Sequence, residues 1–218
     1  MDLSSFSKAI PSSPARQAVR LVLLAGLTAF VIYTAGKAVY SPWQVDDFPD
    51  ALAIKMELMP ITFAVHMVSG GAALLLVPIA LLLRRHPRWH RWAGRIAAAD
   101  VMVAGLTAFP VALIEPVTPV SGWGFAAQGA VWLVLLVLGI WNIRRRQIAA
   151  HRACMLLMAA TTTGAVFFRV YLALFAIGGS YRHYALFYAT DAWLAWTVPL
   201  AAMALWLKRT GAMPRDPR

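Results

Sequence analysis

Apolar runs of bilayer length constrain this chain more than any other feature. They lie at about 18–40, 60–83, 96–115, 122–143, 152–177 and 187–207. Roughly 20 apolar residues are needed for a helix to cross the hydrocarbon layer. Backbone amides in lipid must be satisfied within the protein, so runs of this length read as helices. The chain is 61% hydrophobic and 13% charged, whereas a soluble domain carries roughly 25% charged residues. Too few charges are present to coat a globule. The predicted fold is therefore all-α, an integral membrane bundle of six transmembrane helices. A tail at 1–17 precedes the transmembrane domain at 18–207, whose core bundle is 60–177, and a second tail follows at 208–218. No small-x-small cleavage site follows the first run, which is read as a helix and not as a signal peptide. A single cysteine, Cys154, excludes an internal disulfide.

The net charge of +11 matters less than where the charges fall. The N-tail holds Lys8, Arg16 and Arg20, and the C-tail holds Lys208, Arg209, Arg215 and Arg218. Between the second and third runs stand Arg84, Arg85, Arg88, Arg91 and Arg95; between the fourth and fifth stand Arg144, Arg145, Arg146 and Arg152. The alternate connections carry only Lys37, Lys55 and Arg182, together with Asp46, Asp47, Asp50 and Glu57. By the positive-inside bias, both termini are expected in the cytoplasm of a bacterial inner-membrane protein.

The segment RRHPRWHRWAGR, Arg84 to Arg95, is then a cytoplasmic turn. Its arginines suit anionic headgroups and its tryptophans suit the interface. Twelve residues between two spans offer no surface to track a duplex, so nucleic acid is excluded as a partner. Anchoring does not explain the histidines. The fourth connection, RRRQIAAHRACM, repeats the design: an arginine cluster, then a His-Arg pair opening a helix. His90 and His151 are 61 residues apart, two spans later, which puts them at one depth on parallel helices.

These motifs resemble those of an uncharacterised family of bacterial membrane proteins, a domain of unknown function. Its marks are a histidine in an early helix, H-R-x-x-G-R, H-R-x-x-M and a later arginine. Here they look like His66, HRWAGR at 90–95, HRACM at 151–155, and Arg169, over roughly residues 60–205. Where the family often has an aromatic, this chain has Ile96-Ala97 and Cys154. The His-bearing helical core is similar to that of transmembrane b-type cytochromes, an analogy of architecture.

Ionisable groups inside a bilayer are costly and point to function. His66 is expected about 9 Å into its helix at ~1.5 Å per residue, with Gly70 on the same face. His151, Met155, Met158, Thr162, Ala165 and Arg169 recur at spacings of three and four and share another face. The methionines read as packing. Arg169 requires an anionic partner or a water-filled cavity, with Glu115, Asp191 or an acid group on a ligand as candidate partners. Asp100 is placed to meet Arg91, Arg95 or a histidine. His86 reads as a headgroup-level residue and His183 as part of the outer loop.

A b-type haem needs axial imidazoles, an apolar slot and cations for its propionates. His90 and His151 are the expected axial ligands of one haem iron, with Arg91, Arg95 and Arg152 at hand. His66 is a candidate ligand to a second haem iron, with Arg169 near a propionate. Covalent attachment is excluded by the lack of C-x-x-C-H. A zinc site from His90, His151 and Asp100 is weaker, because no H-x-x-x-H or H-E-x-x-H spacing occurs. No catalytic residue is assigned. The sequence thus predicts an electron-transfer or quinone-linked component that binds haem b and meets lipid, a quinone or a redox partner protein. The alternatives are an accessory or assembly subunit of a larger membrane complex, or a small transporter. Pro78 and Pro110 are read as interruptions of two spans, without a matching pair in the fourth and fifth.

Overall fold

A computed structural model describes residues 14–44 and 48–212. Lys8, Asp46, Asp47, Arg215 and Arg218, on which part of the charge argument rests, lie outside them. Eight α-helices and short 3-10 turns make up the described residues, with no strand among them. They are α1 (Pro14–Tyr40), α2 (Asp50–Leu58), α3 (Pro60–Leu82), α4 (Pro87–Leu113), α5 (Pro119–Arg144), α6 (Ile148–Thr162), α7 (Gly164–Gly178) and α8 (Tyr184–Arg209). The all-α membrane architecture read from the apolar runs is present. Five segments are long and apolar enough to cross a membrane: Ala15–Trp43, Pro60–Arg85, Pro87–Leu113, Pro119–Arg144 and Ile148–Gly178. The sixth expected span, α8, is 26 residues long but is not among them. Asp191, Thr190 and Thr197 interrupt its apolar sequence.

Local chemistry sets the helix ends. Proline at N1 of α3, α4 and α5 supplies a preset φ where a backbone N–H has no helical partner anyway. Helix α4 therefore begins at Pro87, nine residues before the predicted start at 96, and takes His90 and HRWAGR into its first turns. The turn itself is only Leu83–His86. At the end of α5, Arg146 has φ of 60°. The Gln147 N–H reaches the Asn142 carbonyl and the Arg146 N–H that of Ile143, the two bonds of a Schellman cap. Pro78 and Pro110 lie inside α3 and α4 without ending them, contrary to the expected interruptions. The break falls in the fifth span instead, at Thr161-Thr162-Thr163-Gly164. The three threonine hydroxyls donate back to the carbonyls of Leu157, Met158 and Ala160, bonds that compete with the helical ladder and bend it.

The helices pack as hairpins. α3 lies against α4 and α5 against α6, with α4 joined to α5; α1 backs onto α3, and α8 onto α5, α6 and α7. At the arginine-rich end, Ala73, Val77, Val101, Leu136 and Met158 form a solid core, closed by Met155, Ile140 and Trp132. The opposite end is roofed by α2, where Met56 packs on Phe63 and Val111 with Phe48 and Leu52. Most of the surface of α1 is exposed and apolar, including Leu21, Val22 and Leu23, as a lipid-facing helix requires.

Candidate functional site

A cavity of about 340 Å³ lies beneath α2, between α3, α4, α5, α7 and α8. Its wall is mostly apolar, with a few polar groups converging on it: Lys55, His66, Gln128, Thr162, Arg169 and Tyr188. That combination marks a ligand site more than a packing defect. Glycines make the room. No atom lies within 4 Å of where a Cβ on Gly70 would stand, one turn from His66.

His66 is held by its Nδ1, 3.0 Å from the Ala104 carbonyl of α4. The carbonyl can only accept, so Nδ1 carries the proton, and Nε2 is left uncommitted. Thr107 Oγ1 lies 3.3 Å from the same nitrogen. Lys55 and Arg169 are both within electrostatic reach of the ring.

Lys55 was expected in an outer connection. It does lie in the connection between α1 and α3, but buried on α2, with its Nζ 2.5 Å from Glu115 Oε2 and the two side chains 6% and 1% exposed. The ammonium also stands 5.7 Å above the Phe125 ring. This is the one ion pair among the described residues. It takes Glu115 away from Arg169. Asp191, the other expected partner, is 2% exposed, and neither of its oxygens has a hydrogen bond. Arg169 thus has no carboxylate partner among the described residues. Its Nη1 donates to Ala165 O of its own helix at 2.8 Å, and the Tyr188 hydroxyl lies within its electrostatic reach. The predicted face of the fifth span does point inward, with Met155 and Met158 in the solid core and Thr162, Ala165 and Arg169 on the cavity.

The broken turn is built into the wall. Gln128 Nε2 donates to the Thr161 carbonyl at 3.1 Å, and Trp132 Nε1 to Thr162 Oγ1 at 2.9 Å. A backbone carbonyl in lipid needs such a partner. A Cβ on Gly164 would stand 2.6 Å from Gln128 Nε2 and 2.8 Å from Trp196 Cβ, so only glycine admits both neighbours. Sequence reasoning missed this corner, α2 and the Lys55–Glu115 pair. The run of three threonines before a glycine was the available signal for the first.

The other two histidines lie at the arginine-rich end and use the same device. His90 Nδ1 is 2.8 Å from the Ala80 carbonyl of α3, and His151 Nδ1 is 2.9 Å from the Gly139 carbonyl of α5. Each is tied to its own hairpin, and no bond joins the two. A Cβ on Gly94, one turn from His90, would meet nothing within 4 Å. His86 and His183 are exposed. Asp100 meets neither an arginine nor a histidine, and its Oδ2 is buried without a partner. Arg91 donates to the Pro87 carbonyl, Arg95 lies over Trp92 and Arg145 over Trp141, as interface anchors do. Among the described residues no three His, Cys, Asp or Glu side chains cluster as a metal site.

Fold and cavity define a multi-pass helical membrane protein with polar groups gathered inside the bundle. Residues 63–207 match the model of a family described as "Predicted membrane protein (DUF2306)", and the chain belongs to that family. No match was found among curated proteins or among solved structures.

Proposed function

We propose that this protein is a haem-b-linked redox component of a bacterial inner membrane, exchanging electrons with a quinone or a partner protein. The observation that carries the reading is the common tether of His66, His90 and His151. Each commits Nδ1 to a carbonyl of the neighbouring helix, at 3.0, 2.8 and 2.9 Å, and leaves Nε2 uncommitted. Ligating imidazoles are oriented in this way, the second nitrogen fixing tautomer and ring plane. His90 and His151 would hold one haem iron, with the open space beside Gly94 next to the first. Exposed Arg152 is at hand for a propionate. Bound haem would supply a one-electron couple, while the chain's residues fix the imidazoles and shield them from water. His66 as ligand to a second haem has no other imidazole in its cavity wall. In this reading α8 is the sixth span, supported by its packing along α5, α6 and α7, and both termini are cytoplasmic, as the arginine clusters favour.

The test is the visible spectrum of the purified protein, oxidised and dithionite-reduced. His90→Ala and His151→Ala should each abolish or shift a reduced-haem band, and His86→Ala should leave it. No band, or a band unchanged in both variants, overturns the reading. The break between α6 and α7 favours a second one, a small-solute carrier, because discontinuous helices at mid-membrane build substrate sites in carriers.

A further inference from the structure

From the cavity we infer a binding site for a small amphipathic carboxylate, whose acid group pairs with Arg169. Charge arithmetic inside the wall leads there. Two cations reach the cavity, Lys55 and Arg169. Lys55 is neutralised by Glu115. Arg169 lines the cavity but is itself exposed, and its one hydrogen bond among the described residues is to the Ala165 carbonyl; an arginine at bilayer depth is costly to hold unpaired. Among the described residues, the cavity wall itself carries no carboxylate to pair with Arg169.

Geometry narrows the chemistry. A guanidinium keeps free N–H donors in a planar fork after one is spent on a carbonyl, and that fork matches a carboxylate. The Tyr188 hydroxyl and the His66 ring lie within electrostatic reach of the same guanidinium. Gln128 and Trp132 are already committed to the broken turn, so the rest of the wall offers apolar surface from Phe63, Met67 and Leu74. One charge at one side and an apolar body elsewhere describes a monoanionic amphiphile. The volume of about 340 Å³ is at the small end of ligand pockets, roughly 300–1,000 Å³, and has no room for a two-chained lipid. This assignment does not rest on the haem reading. It uses neither His90 nor His151.

Bromo-octanoate tests it, because bromine quenches tryptophan and Trp132 lines the cavity. The full chain in phosphatidylcholine nanodiscs should show saturable quenching, at least tenfold tighter than with bromo-octanol. Trp132→Phe should remove the saturable part. Arg169→Gln should bring the acid down to the affinity of the alcohol, and Arg169→Lys should recover part of the difference. Gly70→Leu, whose Cβ would stand clear of every atom within 4 Å, extends into the cavity beside His66 and should abolish saturable quenching by both probes in a protein that still elutes as a single species. His90→Ala should change nothing, whether or not a haem band is present. Equal affinity for acid and alcohol in the wild type, or full acid binding in both Arg169→Gln and Gly70→Leu, overturns the site.

Discussion

The two ends of the bundle solve the problem of polar groups in lipid differently. At the arginine-rich end the arginines stay exposed, the histidines brace their own hairpins, and Val101, Leu136 and Met158 fill the middle. Toward α2 the bundle encloses a buried ion pair, and a broken helix and an exposed arginine without a carboxylate partner among the described residues border the same cavity. Solid packing brings van der Waals contact and rigidity. Enclosed polar groups weaken that packing, and they carry recognition. Under the two proposals, a small ligand would sit at the α2 end and a metal-bearing group at the other.

Mutations can break this contrast. The largest effect is expected from Lys55→Ala, which strands Glu115 in a buried site. Removing one partner of a buried pair costs ~3–5 kcal/mol, and denaturant titration in detergent should show a loss of that order. The double change Lys55→Met with Glu115→Leu should restore most of it. Equal stability of the single and the double variant would mean that the pair does not hold α2 down.

A comparison of two glycines sharpens it. Gly164→Ala forces a methyl against Gln128 and Trp196, and overpacking of this kind costs ~1–3 kcal/mol. Gly94→Ala meets open space within a helix and should stabilise by about 0.5–1 kcal/mol, the penalty of a mid-helix glycine. Melting curves of the pair should move in opposite directions. A shift of the same sign in both would erase the distinction between the ends.

The smallest effect is expected at Asp191. Its oxygens have no bond to lose, and Asn keeps its shape. Asp191→Asn should leave stability unchanged or raise it by up to ~1 kcal/mol, since an unpaired buried charge is unfavourable. A marked loss in the same denaturation assay would show that the carboxylate has a partner in the membrane.

Local sequence carried much of this. Five spans followed from apolar length, and the inward face of Met155, Met158 and Thr162 from its three-and-four spacing; the early start of α4 at Pro87 did not. What escaped was non-local. Lys55 is buried because of Glu115, 60 residues away, and nothing in the nine residues of α2 announces it. Arg169 lines the cavity but is exposed, and its lack of the expected Glu115 partner depends on that same distant pair. The ring tethers of His90 and His151 depend on carbonyls across each hairpin. The membrane length of the fifth run concealed its corner, because hydropathy averages over a window in which three threonines barely register.

That corner also sets a phase. Gln128 and Trp132 hold two successive residues, Thr161 and Thr162, so α7 leaves α6 at a fixed rotation. Each residue of α-helix turns the chain by about 100°. Deleting one residue between Gly164 and Arg169 would swing the guanidinium roughly a quarter-turn around its axis. The angular setting of one charge is thus stored seven and eight residues upstream, where an indole and an amide on another helix hold Thr162 and Thr161.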